Sequence, residues 1–535
     1  LGLLFSLLPA ALSFAQADVE AQKARGQALF QQHCHICHQA SGQGAPGVFP
    51  PLAKSDFLMA DKKRSIRILC EGLNGEITVN GGKYNGQMPP STLNDAAAAD
   101  VLTYVRNAWG NSGEPVNAEE VKTERTQTRF KTYEELVRAS AYAPLPQAPE
   151  GFTLRDVVHL PENPTRLATD TAGKILYVLA NNGNVWRADT QAGSFRLLLR
   201  GERYIDKSLG SPGCTGLMLD PQRRLYIVVN QRNEKVTPVT DEVTIFRTTD
   251  VSDGDPFDPQ PWLHASYPWG IGPFNHCVNH LAIGPDGFIY VNSGSRTDGG
   301  EPGKDPKYST EGETPLTACM WRLDPKAAKP EIEIYARGLR NSFGFCWSDK
   351  GELVATENGP DYDAPEELNV IEKGKHYGFP FQFSDWTKKP YEYTPDAPAG
   401  VKFTWPVANL GPAGGGSSGQ PLYTFDPHSS PAGIAFLGDD FPEGWRGTFL
   451  ITRFGNLLKK PKDVGFDLLE ARLKKRADGS HEATVKTAIA PLARPIDIVH
   501  AGPGRLLIAE YTRPLDHKSG LPQMPGRILE LAVKR

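Results

Sequence analysis

Leu281-Ala282-Ile283-Gly284-Pro285-Asp286-Gly287-Phe288-Ile289-Tyr290-Val291 is an apolar run, a Gly/Pro/Asp turn and a second apolar run. Alternation with a period of two on both sides of a tight turn is the pattern of an antiparallel hairpin with a buried face. The same pattern recurs as Arg166-Leu167-Ala168 to Ile175-Leu176-Tyr177-Val178, and as Gly216-Leu217-Met218-Leu219-Asp220 to Leu225-Tyr226-Ile227-Val228. It returns from Phe343-Gly344-Phe345 to Glu352-Leu353-Val354, from Ile434-Ala435-Phe436 to Thr448-Phe449-Leu450-Ile451, and from Ile498-Val499-His500 to Arg505-Leu506-Leu507-Ile508. The copies stand roughly 50 to 90 residues apart, room for a four-stranded sheet and a loop. Six such sheets arranged radially make an all-β six-bladed β-propeller over residues 151–535. The first strand, Phe152 to Val158, and the last, Gly526 to Val533, are placed to share a blade and latch the ring. A two-sheet sandwich is the alternative, and six copies with similar inner-strand starts argue against it.

A chain of 535 residues is too long for one ordinary core, so a second domain is expected before the repeats. The net charge is -4 and no block of Lys or Arg stands out, which excludes the basic face that nucleic acid or anionic lipid would need. Residues 1–17 form a short apolar run ending in the small-x-small triplet Ala15-Gln16-Ala17. That reads as the remnant of a signal peptide. The run is shorter than the roughly 20 residues that span a bilayer. Export to the periplasm, with no integral membrane segment after cleavage, is the expectation.

Cys34-His35-Ile36-Cys37-His38 carries two thiols three residues apart, followed at once by an imidazole. Two such thiols can add to both vinyl groups of one haem and leave His38 beneath the iron as proximal ligand. A redox thiol pair and a zinc half-site share the CxxC spacing. Val19 to Gln32 has helical spacing, with Gly26 one turn before Phe30. Asn94 to Trp109 reads as another helix, capped by Ser91 or Asn94, with Val101, Tyr104, Val105 and Trp109 along a packing stripe. Between them Gly86-Gln87-Met88-Pro89-Pro90 offers Met88 as sixth ligand, and a thioether there raises the haem potential. Met59, on an expected helix from Ser55 to Leu69, competes but reads more simply as a core side chain. His33 and His35 read as exposed or propionate-facing. Residues 18–110 resemble the class I cytochromes c, an all-α fold with covalent haem c. Residues 111–150, charged from Glu119 to Arg129 and rich in proline at Pro144, Pro146 and Pro149, read as a linker holding a short amphipathic stretch, Tyr133 to Ala139.

Three repeats carry unusual polar groups at their inner-strand ends: Asn275-His276-Cys277 before the third, Arg340-Asn341 before the fourth, and Thr452-Arg453-Phe454 after the fifth. A histidine and arginines converging on an axial pocket suit an anionic cofactor beside a proton acceptor. The alternative is that the arginines bridge blades and the histidine satisfies backbone groups. The acidic turn from Glu357 to Asn369 offers oxygen ligands for a hard cation such as Ca²⁺, or is a solvated loop.

Gly338-Leu339-Arg340-Asn341, Glu357-Asn358-Gly359-Pro360, Glu367-Leu368-Asn369 and Tyr377-Gly378-Phe379-Pro380 resemble the signature of the glucose/sorbosone dehydrogenase family. The similarity runs from about Pro149 to Val533. It implies a propeller enzyme using pyrroloquinoline quinone (PQQ) and Ca²⁺. By that likeness His276 is the catalytic base, Arg340 and Asn341 contact the quinone, the carbonyls of Gly359 and Pro360 hold Ca²⁺, and Arg453 and Arg494 meet the cofactor carboxylates. Two features depart from the glucose-oxidising members: Asn275 stands where they have Asp, and Leu209 to Gly213 lacks a glutamine some members carry. The expected function is oxidation of a sugar or related alcohol, with electrons passed to the fused haem and on to a downstream periplasmic acceptor. A carbohydrate-binding propeller without catalysis and a Ca²⁺-dependent lactonase are the other readings of the same fold. Of the five remaining cysteines, Cys70 reads as a buried thiol, while Cys214 and Cys277 precede neighbouring inner strands and are candidates to approach each other.

Overall fold

The computed structural model describes residues 8–128, 135, 141–249, 255–271, 275–303, 305, 307–308, 312–384, 389, 391–416, 422–456, 464–513 and 524–534. The chain divides into two compact units, Leu1–Tyr142 with Asp516–Met524, and Ala143–Leu515 with Pro525–Arg535. All but one residue of the amphipathic stretch expected from Tyr133 to Ala139 lies outside the described residues. No described helix is long and apolar enough to cross a membrane.

The first unit is helical. Its first helix, Leu8–His33, packs against Asp95–Val105. The backbones meet at Gly26, where any Cβ would lie 2.0 Å from the carbonyl oxygen of Asp100. One turn later Phe30, fully buried, sits 5.6 Å from Tyr104 and 5.0 Å from Trp109 between ring centroids. This aromatic knot fixes the crossing. Gly26→Ala is therefore expected to lower the unit's unfolding free energy by about 2 kcal/mol or more, read by chemical denaturation of the haem absorbance.

Asn94 is the cap of the second helix, its side chain accepting from the N–H of Ala97 at 2.9 Å. The helix stops at Val105, short of Trp109, because Asn111 takes the Val105 carbonyl at 2.7 Å and the chain turns with positive φ at Trp109 and Gly110. The helix expected from Ser55 to Leu69 is two, Asp56–Ala60 and Lys62–Glu71. Extended Asp61 separates them and caps the second through the N–H of Arg64 at 2.9 Å.

The linker reading fails for its first half. Ala118–Arg125 is a helix opened by a capping box at Asn117 and Glu120, and it packs on the helices Lys62–Glu71 and Asp95–Val105. Two of its charges, Glu124 and Arg125, are buried. Arg125 donates to Asp95 at 2.8 Å and to the Leu93 carbonyl at 3.1 Å, and Glu124 accepts from Arg67 at 2.7 Å. A charged run looks solvated in sequence, but paired charges can be buried.

The second unit contains six sheets in a ring. The first blade is Pro164–Thr169, Ile175–Ala180, Val185–Asp189 and Phe195–Leu199, and the second runs Pro212–Leu219, Leu225–Asn233, Thr240–Arg247 and Gln260–Pro268. The third is Val278–Ile283, Ile289–Ser293, Cys319–Leu323 and Glu333–Arg337, and the fourth has three strands, Phe345–Trp347, Leu353–Glu357 and Glu367–Ile371. The fifth blade takes its four antiparallel strands from Pro431–Leu437, Thr448–Arg453, Asp467–Lys475 and His481–Ile489, and adds Ala408–Pro412 in parallel at its outer edge. The sixth joins Pro495–His500, Arg505–Glu510 and Ile528–Val533 to Phe152–Val158, so the expected latch between the chain's last strand and the propeller's first is present.

One arginine that sequence reasoning passed over ties the ring internally. Arg166 of the first blade is fully buried and donates to the carbonyl of Thr215 in the second blade, to that of Phe343 at the entrance to the fourth, and to Asp497 in the sixth, at 2.9, 2.9 and 3.3 Å. In a ring of six, the first and fourth blades face each other, so this guanidinium spans the axis. None of the seven cysteines is joined in a disulfide, so Cys214 and Cys277 are unpaired with each other, and Cys70 is buried as expected.

Candidate functional site

In the helical unit the motif folds as one turn, His35–His38, with Cys34 at its N-cap and the N–H of His38 on the Cys34 carbonyl at 3.0 Å. The turn brings both thiols and the His38 ring to one end of the first helix. His38 is buried, and its Nδ1 pairs with the carbonyl of Pro50 at 3.2 Å. That bond fixes the tautomer with the proton on Nδ1 and leaves Nε2 with its lone pair for a metal. Burial holds the imidazole neutral by lowering its pKa. This donor set fits a covalently attached haem. Met88 lies on Gln87–Met88, paired with Leu73–Asn74, and packs partly buried against the same core as Phe30. Met59 also packs on that core, with its Cε 3.0 Å from where a Gly113 Cβ would be, which commits it to the packing of that loop.

In the propeller His276 precedes the inner strand of the third blade. Its N–H donates to the Ser295 carbonyl at 2.9 Å, and the N–H of Ser295 donates to the Arg340 carbonyl at 2.7 Å. One residue therefore bridges the backbones of His276 and Arg340. Gly294 must lack a side chain here, because a Cβ would fall 2.6 Å from the Cβ of His276. The His276 Nε2 is buried with no hydrogen-bond partner among the described residues. Its pKa is pushed well below the usual imidazole value by burial, and further by the positive charge of Arg340. The ring is thus held neutral, with its Nε2 unpartnered among the described residues.

Arg340 is buried and held by Asp298 through its Oδ1 at 2.7 Å and its carbonyl at 3.0 Å, with a third bond to the Asn358 carbonyl at 3.1 Å. Among the described residues, three of its five N–H groups are spent in this way. Asp298 was not anticipated. Its only sequence mark is the Gly299-Gly300 pair that follows, a sign of close backbone approach. Asn341 donates its N–H to Glu357 at 2.5 Å and accepts from Asn279 at 3.1 Å. Asn275 donates to buried Asp241 at 3.0 Å and to the Cys277 sulfur at 3.1 Å, so the carboxylate missing from position 275 has a neighbour in the second blade. Nothing in the sequence near Asp241 marks it.

The Arg453 guanidinium is held by Asp467 through two bonds at 2.9 and 2.7 Å and by Asp426 through one at 3.1 Å, as Arg340 is held by Asp298. Arg494 is buried over the rings of Phe454 and Phe466 at 4.9 and 5.0 Å, and donates to the carbonyls of Gly455 and Asn456. Pro360 is buried, and Gly359 lies against the Phe383 ring, where a Cβ would come within 2.5 Å. The N–H of Gly359 donates to Glu366 at 2.5 Å, and the carbonyl that shares its peptide plane, that of Asn358, faces the other way and accepts from Arg340 at 3.1 Å. Among the described residues no three His, Cys, Asp or Glu side chains gather as a metal cage.

Three buried carboxyls back this turn. Burial pushes Glu357 and Glu366 up to about 7 and Glu367 up to about 8, with Glu357 adding repulsion to the last. Folded values above the ordinary carboxylate range mean the protonated form is favoured in the fold. Their contribution to stability is full below the unfolded value and lost as pH rises through about 7 to 8. The thermal midpoint of the cofactor-free protein is expected to drop by several degrees, about 3 to 8 °C, on going from mildly acidic to mildly alkaline buffer. A flat or rising midpoint across that range would remove these carboxyls as buried neutral acids.

With this geometry in place, comparison with known proteins is direct. A family model described as Glucose / Sorbosone dehydrogenase matches residues 157–460, more than half of the chain. The chain belongs to the glucose/sorbosone dehydrogenase family. A second model, Cytochrome c, matches residues 23–109. Cytochrome c-552 of Thermus thermophilus is 40% identical over 131 residues, covering 23% of this chain and 83% of that protein. Quinoprotein glucose dehydrogenase B of Acinetobacter calcoaceticus is 24% identical over 287 residues, 46% of this chain and 58% of that one. Among solved structures, the PQQ-bound aldose sugar dehydrogenase of Streptomyces coelicolor aligns over 72% of this chain and 100% of its own at 21% identity and a TM-score of 0.46. This glucose/sorbosone dehydrogenase family member is thus an oxidoreductase whose propeller is fused to its own cytochrome c.

Proposed function

We propose that the protein is an exported quinohaemoprotein that oxidises an aldose, or a related sugar alcohol, at PQQ and Ca²⁺ in the propeller and passes the electrons to its haem c. The observation that carries this reading is the His276 imidazole, buried and neutral, with Nε2 unpartnered among the described residues and its backbone joined to that of Arg340 through Ser295. Export to the periplasm rests on the apolar run and the Ala15-Gln16-Ala17 triplet.

A sugar hydroxyl that reaches Nε2 gives up its proton there, the anomeric one most readily because its conjugate base is the best stabilised. The carbon then loses a hydride, so that two electrons and one proton leave with it and an aldose becomes a lactone. Bound PQQ supplies the acceptor for that hydride, and haem c is a one-electron outlet for the pair in turn. Arg340, Asn341 and Arg494 are the side chains that would hold the quinone and its carboxylates. Arg340, fixed in place by Asp298, would offer positive charge to a bound quinone without reorganising. The carbonyls of Gly359 and Pro360 are the oxygens through which Ca²⁺ would be held.

The test is to add PQQ and Ca²⁺ to the purified full chain and follow haem absorbance on adding aldoses. Sugar-dependent reduction that needs PQQ supports the reading, and a reconstituted haem that no sugar reduces would end it. In the same preparation Met88→Ala is expected to lower the haem midpoint potential by on the order of 100 mV, and Met59→Ala to leave it nearly unchanged. The reverse ranking would make Met59 the ligand.

A further inference from the structure

Beside the Arg340–Asp298 pair stands a group of tyrosines that the oxidation step does not use. Tyr391 and Tyr393 are stacked, with ring centroids 4.8 Å apart and planes at 18°, and Tyr362 meets Tyr391 edge-on at 5.9 Å and 76°. Tyr362 and Tyr393 are 42% and 46% exposed. Aromatic faces left to solvent on a rigid support mark a binding surface more often than a packing residue.

The support is rigid. The Tyr391 hydroxyl donates to Asp298 Oδ2, the carboxylate whose other oxygen accepts from Arg340 at 2.7 Å and from the N–H of Asp361 at 2.9 Å. The ring lies on Gly299, where a Cβ would come within 2.5 Å of it, and buried Thr394 donates to the Gly299 carbonyl at 3.0 Å. Glu301 accepts from the N–H groups of Asp298 and Gly299, both at 2.8 Å. One turn of chain therefore fixes both Arg340 and the tyrosines. Asp298 is balanced by Arg340, and the carboxylates of Glu301 and Asp361 also act on Tyr393, so the remaining charge beside the rings is negative.

We propose that Tyr362, Tyr391 and Tyr393 form a stacking platform for a second pyranose unit, so that the substrate is at least a disaccharide whose oxidised end sits at His276. A pyranose presents C–H groups on its faces and hydroxyls at its rim. The faces match flat rings, and the hydroxyls match carboxylate acceptors. The carboxylate fringe repels an anionic unit, so the second sugar is neutral rather than a uronic acid or a sugar phosphate. This inference rests on the sugar-oxidising reading above.

Two measurements test it. In the reconstituted full chain, the ratio of kcat/KM for cellobiose to that for glucose is expected to fall about tenfold in Tyr393→Ala, the loss of one aromatic contact, and to be restored in Tyr393→Phe. Cellobiouronic acid, charged at its non-reducing unit, should be oxidised less efficiently than cellobiose by the parent protein. In the PQQ-free chain, saturation-transfer NMR with cellobiose should show the non-reducing ring in contact with the protein, and Tyr393→Ala or Tyr362→Ala should abolish that signal. An unchanged ratio, or an absent signal in the parent protein, overturns the platform. If the parent protein oxidises no sugar at all, the reading of the active site fails, and the NMR arm still decides whether the tyrosines hold a pyranose.

Discussion

His276→Ala is expected to cut sugar-dependent haem reduction by about 10²- to 10⁴-fold, the usual span for removing a general base. The loss should fall on kcat, because the imidazole makes its decisive bond as the proton moves rather than when the sugar binds. Its N–H to Ser295 and the Arg340–Asp298 pair do not depend on the imidazole, so the fold and the cofactor cradle should persist. Stopped-flow reduction of the haem, with PQQ affinity measured in parallel, separates the two. Turnover within a few fold of the parent protein would remove His276 from the chemistry. His276→Gln, which can hydrogen-bond but cannot act as a base at neutral pH, should behave like the alanine variant.

The second large effect is on stability. Arg166→Ala is expected to cost about 3 to 5 kcal/mol, because it strands a buried carboxylate. Asp497 accepts from Arg166 at 3.3 Å and from the N–H of Leu167 at 2.8 Å, and burial already raises its pKa against the pull of that arginine. Without the guanidinium the carboxyl rises further. The deficit should then be smallest at low pH, where Asp497 is neutral in both states, and grow as pH rises. Urea unfolding at two pH values measures it. Arg166→Met combined with Asp497→Leu should recover most of the loss, since an apolar pair of similar volume removes the stranded charge. A single-variant deficit below about 1 kcal/mol would mean that the ring does not depend on this crossing.

The parts of the architecture written in local pattern were legible from residues alone. Six hairpins with period-two alternation, and the CxxCH run followed by a capped helix, are signals carried by neighbours in sequence. The latch between Phe152–Val158 and Ile528–Val533 was legible for the same reason, since a ring with one strand too many at each end closes on itself. What escaped depends on long-range pairing. Ala118–Arg125 looked solvated because its charges are conspicuous, whereas their partners Asp95 and Arg67 lie far away in the chain. The carboxylates that hold Arg453 were not foreseen, because Asp426 and Asp467 give no sign in sequence that they face it. Arg166 sits in an ordinary strand, and only closure of the ring reveals that it reaches three other blades. That His276 and Arg340 are neighbours could be anticipated only from motif resemblance, because periodicity carries no such distance information, while Asp298 and Asp241, which brace them, belong to no motif.

The latch has a consequence for biogenesis. Ile528–Val533, the strand that receives Phe152–Val158, is synthesised long after it, so the propeller ring cannot close until the chain has been made that far. The haem-carrying half has its motif, its crossing helices and its buffer of paired charges encoded in the first quarter of the chain. Order along the chain lets the helical unit complete its crossing helices while the propeller ring is still open, so the two halves need not wait for each other to fold.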